Sequence, residues 1–259
     1  MTVPSYLTYV VLIGGAGIVA TLLFGLRLAL SRAGWSADDQ GQAARLTALI
    51  LIGWLGIAIV LGVSGVFRGA PDQLPTIQYG ILAPLVIGGL LIMRSSRMAR
   101  LIKAVPQQWL IGVQAYRALG IIFLILYGAG KMPGLFAWPA GIGDVLVGTL
   151  ALVVAIAYAR GPEKNRDLVW GWNILGLTDL SVAVATGMAT APSPSPIQQF
   201  AFDLPNDLVG AFPLILIPIY LVPLSVLLHF ASLTKLRRTA QHLELQDAPA
   251  CSLRKMQTG

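Results

Sequence analysis

The chain has 259 residues, 56% hydrophobic and 11% charged, with a mean hydropathy of +0.76. Soluble domains carry about 25% charged residues, so a water-soluble globular fold is excluded. The weakly alternating ten-residue segments of an outer-membrane barrel are missing too. The formal charge of +7 does not point to nucleic acid, because the basic residues fall between apolar runs. The partner they imply is the lipid bilayer.

Runs of about 20 apolar residues, each long enough to cross ~30 Å of hydrocarbon, recur along the whole chain. They predict an all-α polytopic membrane protein, a bundle of seven transmembrane helices. The spans run Leu7–Leu30, Thr47–Phe67, Ile77–Met93, Trp109–Ala129, Leu135–Tyr158, Leu168–Met188 and Leu208–Phe230. The first is expected to remain as a span rather than be cleaved as a signal peptide. No Lys or Arg precedes it, and its apolar run exceeds a usual signal core.

The connections set the orientation. Arg27, Arg32 and Arg45 follow span one; Arg94, Arg97, Arg100 and Lys103 follow span three; Arg160, Lys164 and Arg166 follow span five. Lys235, Arg237, Arg238, Arg254 and Lys255 follow span seven, whereas the opposite side holds only Arg68 and Lys131. The positive-inside rule then predicts an N-terminus outside and a C-terminus in the cytoplasm, in a bacterial-type inner (plasma) membrane. Trp109 and Trp170 fall at inner interfaces and Trp138 at an outer one, as an aromatic belt requires. Trp54, mid-span, is expected to pack.

Arg94–Val105 predicts an amphipathic helix with Met98, Leu101, Ile102 and Val105 on one side, suited to the inner leaflet; a positive-inside anchor with no further role is the plainer reading. In the outer connection Ala189–Asn206, Pro192, Pro194 and Pro196 favour an extended chain. Phe200 and Phe202 follow, as a cover for an outward opening or as an ordinary solvated loop. Pro213, Pro218 and Pro223 are expected to bend or break span seven. His229 is expected near its inner end, as an interfacial residue. Residues 1–234 thus form the membrane domain, with a scaffold half (1–93) and a polar half (109–230). Residues 235–259 form a polar cytoplasmic tail, expected to be partly disordered. Cys251 is the single cysteine, so an intramolecular disulfide is excluded, and with two histidines no metal or cofactor is expected.

The polar half concentrates the chemistry. Gly141-Ile142-Gly143-Asp144-Val145-Leu146-Val147 and Gly176-Leu177-Thr178-Asp179-Leu180-Ser181-Val182 share the pattern G-x-x-D-aliphatic-x-V. They lie on consecutive, oppositely directed spans, an arrangement found in the inverted repeats of transporters. Arg117 lies at a similar depth on span four, one helical turn from Gln114, and Asn173 shares a face with Asp179. Charges persist in hydrocarbon when paired or when they line a pathway. One arginine with two aspartates carries a net charge of −1, so either one carboxyl keeps its proton or a cation joins. The candidate ligand- or ion-binding residues are therefore Arg117, Asp144, Asp179, Asn173 and Gln114. A structural Arg–Asp pair fixing helix register is the plain alternative.

Gly141-Ile142-Gly143-Asp144 also resembles the G-x-G-D signature of intramembrane aspartyl proteases and prepilin peptidases, which implies an aspartate paired with a second one to activate water. The resemblance covers four residues. Where those families place a Tyr-Asp pair on an earlier helix, this chain has Tyr116-Arg117, and no Pro-Ala-Leu motif follows. The helix number and orientation are similar to those of rhodopsins and receptors. No lysine lies within a span, so a retinal Schiff base has no attachment point; a ligand sensor with Lys131, Asp203 and Asp207 at its mouth stays open. The leading expectation is non-enzymatic: binding or translocation of a small solute, coupled to H⁺ or a monovalent cation. A G-x-G-D peptidase and a sensor are the alternatives.

Overall fold

The computed structural model describes residues 4–68, 76–192 and 204–256, with side chains followed through 239. Among the described residues the regular structure is all helical, with no strand, and seven helical segments are long and apolar enough to cross a membrane.

The elements are α1 (Ser5–Arg32), α2 (Ala37–Ser64), α3 (Ile77–Arg94), α4 (Ser96–Ala104), α5 (Gln107–Gly112), α6 (Ile121–Gly128), α7 (Gly134–Arg160), α8 (Arg166–Thr190) and α9 (Val222–Met256). Local chemistry sets their ends. After α1, Gly34 takes a positive φ of 74° and Trp35 donates back to the Leu30 carbonyl, satisfying carbonyls that the helix end leaves open. Ser36 then caps α2 by accepting from the Asp39 amide, and Asp38 and Asp39 sit in the first turn, where the helix dipole favours negative charge. The amphipathic segment expected over Arg94–Val105 is α4, capped by Ser95, with Ile102 buried.

Span four is α5, a 3₁₀ segment over Val113–Gly120, and α6, end to end from Gln107 to Gly128. In a 3₁₀ helix residues three apart eclipse one another. Ile111, Gln114, Arg117, Gly120, Phe123 and Leu126 therefore form one straight buried stripe. It faces α7, the neighbour with which this span makes its most extensive contact.

Span seven differs from the expectation. It starts at Ile217 rather than Leu208 and continues past Phe230 to Thr239. Residues 207–215 form turns instead, closed by bonds such as Ala211 N–H to the Leu208 carbonyl (3.0 Å). Non-helical backbone of this kind is tolerated at membrane depth when it is buried in protein, and Leu208, Leu214 and Ile215 are buried. The prolines do not kink the middle of the span. Pro213 precedes it, Pro218 lies in its first turn, where a missing N–H costs least, and Pro223 follows directly on the first turns. There the helix widens to a π turn over Ile217–Leu221. The tail expected to be partly disordered is helical to Met256, because α9 continues through a stretch rich in good helix formers such as Ala240, Gln241, Leu243, Glu244 and Leu245. The outer loop's Ser193, Pro194, Ser195, Pro196, Phe200, Phe202 and Asp203 lie outside the described residues.

The core sits in spans four to seven. In them 33%, 39%, 28% and 56% of residues are buried, against 17%, 11% and 11% in spans one to three. The two parts meet at a few points: α3 packs along α9, Trp54 lies 4.5 Å from the Tyr220 ring, and the Tyr220 hydroxyl donates to the Leu51 carbonyl.

Candidate functional site

Arg117, Asp144 and Asp179 meet at the centre of the bundle. Arg117 is ten residues from the start of span four, and Asp144 is ten residues into α7. At 1.5 Å per residue each lies about 15 Å from a helix end. Arg117 Nε donates to Asp144 Oδ1 at 2.8 Å, and Nη2 pairs with Asp179 Oδ2. Among the described residues these are the two ion pairs. One guanidinium thus serves both carboxylates, and each copy of the G-x-x-D pattern delivers its aspartate to the same cation.

Small residues make the approach possible. A Cβ at Gly143 would collide with the Asp179 carboxylate, and one at Gly148 with the backbone of Arg117 and Ala118. Close helix contact through small residues is how membrane helices gain packing when lipid supplies no hydrophobic drive.

The remaining Arg117 donors run away from the aspartates. Nη1 lies 3.4 Å from both the Gly176 carbonyl and His229 Nε2. His229 Nδ1 lies 2.9 Å from Asn173 Oδ1. The protons on this chain follow from the partners. Asn173 Nδ2 faces the Val169 carbonyl at 2.8 Å, which can only accept, so the amide oxygen is the atom facing the imidazole. Nδ1 therefore carries the proton, and Nε2 is bare toward an arginine that can only donate. His229 is held as the neutral Nδ1–H tautomer. Asn173 Nδ2 also donates to Ser232 Oγ (3.0 Å), which accepts from Gln107 Nε2 (2.7 Å). A continuous polar chain thus runs from Asp144 through Arg117, His229, Asn173 and Ser232 to Gln107, at the end of the bundle rich in Lys and Arg. Trp172 stacks beside the imidazole, 4.9 Å between ring centroids, and fixes its own indole by donating to the Val147 carbonyl.

On the other side a cavity of about 510 Å³ reaches Asp144 from the end poor in Lys and Arg. Exposed Arg68 and Asp207 and buried Asn206 line it near that end, and Phe123, Phe136, Leu180, Ala183 and Ile217 form apolar walls. A second cavity of about 70 Å³ lies between α1 and spans four and seven, lined by Tyr116, Arg117, Gly120 and Ser225. Asp144 borders both, with a side chain 17% exposed against 2% for Arg117. The Tyr116 hydroxyl pairs with Ser225 Oγ at 2.5 Å above the smaller one.

Of the five residues expected from sequence, Arg117, Asp144 and Asp179 are in direct contact, and Asn173 joins through His229. Gln114 is fully buried one 3₁₀ turn from Arg117, and its amide makes no hydrogen bond among the described residues. Lys131 lines neither of these cavities, whereas Asp207 lines the larger one. His229 is not interfacial, as had been expected. It is fully buried, because span seven lies further along the chain than its apolar run suggests. Ser225, His229 and Ser232, spaced four and three apart, mark one face of an otherwise apolar helix; that spacing was the available signal, together with Gln107.

No curated protein and no solved structure matches the chain. Residues 74–237, more than half of its length, match the family described as Domain of unknown function (DUF8737). The match takes in α3 and every residue of the polar chain and leaves α1 and α2 outside, and the protein is a member of that family.

Proposed function

We propose that this chain is a multi-pass protein of a bacterial-type inner membrane, N-terminus outside, that binds or translocates a small solute. Coupling to H⁺ or a monovalent cation occurs at Arg117/Asp144/Asp179. The observation that carries this reading is the position of Asp144: one carboxylate oxygen is paired with Arg117 while the side chain borders a 510 Å³ cavity open toward one end. A purely structural ion pair needs no such cavity. The volume lies within the ~300–1,000 Å³ usual for small-molecule sites, and apolar walls with few polar groups are their common form. One cation facing two carboxylates leaves a net −1, which a proton or a solute cation offsets. Each loading step changes what Arg117 must neutralise, and this supplies the coupling.

The same geometry tells against peptide hydrolysis. Two aspartates that activate water share one proton, and here both carboxylates instead accept from the Arg117 guanidinium.

The test uses the full chain in vesicles loaded with a pH-sensitive dye, under an imposed membrane potential. Wild type is expected to pass protons above the protein-free level, and Asp144→Asn and Asp179→Asn to lose that flux. Equal flux in all three proteins would remove the coupling.

A further inference from the structure

The chain carries a second, larger concavity outside the polar site. A groove of about 1220 Å³ runs between α1, α2, α3, α5 and α9 with almost wholly apolar walls. It exceeds the ~300–1,000 Å³ of ordinary small-molecule sites. Tyr79 and Ile92 of α3 both line it; thirteen residues apart, they span about 20 Å along the helix. That is longer than one leaflet of a ~30 Å hydrocarbon core.

One end is chemically distinct. Met98, Leu101 and Ile102 of α4 close the groove there, while Arg97, Arg100 and Lys103 of the same helix are exposed. α4 is tied in place: Lys235 Nζ of α9 donates to the carbonyls of Ile102, Lys103 and Val105 at 3.1, 2.8 and 2.6 Å. Arg32 adds a further cation, its guanidinium 5.2 Å above the ring of Trp109, which itself lines the groove. Among the described residues none of these four cations pairs with a carboxylate. Long apolar walls that end in uncompensated positive charge match one chemistry.

We propose that this groove holds an anionic phospholipid, with its acyl chains along α3 and its phosphate among Arg32, Arg97, Arg100 and Lys103. Charge decides against a second copy of the chain as occupant. A two-fold partner brings the same surface to the contact, so one interface would gather both sets of these cations. The site is independent of the solute cavity, with which its lining shares only Phe67.

The full chain is reconstituted in phosphatidylcholine vesicles with a trace of phospholipid carrying a photoactivatable acyl chain and either a phosphatidylglycerol or a phosphatidylcholine head. Adducts are then mapped by peptide mass spectrometry. The phosphatidylglycerol probe is expected to concentrate on groove residues of α3 and α5, and the phosphatidylcholine probe to show no preference for them. Arg97→Gln, Arg100→Gln and Lys103→Gln each lower the groove adduct about fivefold, the factor for one cation near anionic lipid. Adducts on Ile174 and Val182, on the outer surface of α8, are unaffected. Should a variant fail to fold, competition on wild type decides: unlabelled phosphatidylglycerol removes the groove adduct and unlabelled phosphatidylcholine does not. Equal adducts from both heads, or equal competition, would reduce the groove to ordinary lipid contact. Protein–protein adducts across it would make a second copy the occupant. Either result overturns the proposal.

Discussion

Spans one to three and spans four to seven are comparably apolar in sequence, yet they are built differently. The first three expose large side chains toward lipid, with Phe24 71%, Leu49 71% and Met93 77% exposed, and bury no polar residue among those described. The buried Gln107, Gln114, Arg117, Asn173, Ser225, His229 and Ser232 all belong to the other four. In water, apolar burial alone would draw helices together, but lipid tails are as apolar as leucine. Association in the bilayer relies on close packing and interhelical hydrogen bonds. The polar half has both; α2 and α3 approach span seven and the turns before it closely at Gly62, Gly80 and Gly88, but the first three spans add few interhelical hydrogen bonds. The family match divides the chain one span earlier, starting at residue 74 and taking in α3.

This contrast predicts an uneven response to mutation, measured as unfolding free energy in mixed micelles. Arg117→Met should cost about 3–5 kcal/mol, because it leaves two part-buried carboxylates without their cation. The triple variant Arg117→Met/Asp144→Asn/Asp179→Asn should recover most of that loss. An additive triple variant would show that the three residues do not act together. Gly148→Ala should cost about 1–3 kcal/mol, since its methyl meets backbone that cannot yield. Gly53→Ala in α2, with nothing within 4 Å, should stay within about 0.5 kcal/mol. Equal costs at the two glycines would break the contrast. Single hydrogen bonds are also small: Ser232→Ala, which cuts the polar chain, and Tyr220→Phe, which cuts the link to Leu51, should each cost about 0.6 kcal/mol.

Much of this was legible in the residues. Five of the seven spans fall within a few residues of their expected bounds; the helix of the second begins ten residues before Thr47, and the seventh is displaced by nine residues at its start. Arg117, Asp144 and Asp179 stood out because charge in hydrocarbon is costly, and their depths could be counted from the helix ends. Span seven failed for a physical reason. Leu208–Leu216 is apolar enough to look transmembrane, but Pro213 and tertiary burial turn it into compact loop, and hydropathy does not distinguish buried loop from lipid-facing helix. That displacement hid His229, which counted as interfacial from the wrong end. The 3₁₀ segment was equally invisible: Gln114 and Arg117 share a face in either helix type, and only packing against α7 selects the tighter one.

The central claim is that Asp144 is reached by solute from one end of the bundle rather than sealed in a structural pair. Ala183 lines the cavity, whereas its neighbour Val182 is 40% exposed on the outer surface of α8. In a Cys251→Ser background, Ala183→Cys and Val182→Cys are treated in intact cells with a small, water-soluble, membrane-impermeant thiol reagent. The account predicts labelling of Ala183→Cys from the external side and none of Val182→Cys, which faces lipid. Protection of Ala183→Cys from the external reagent, with labelling only from the cytoplasmic side or from neither, would contradict it.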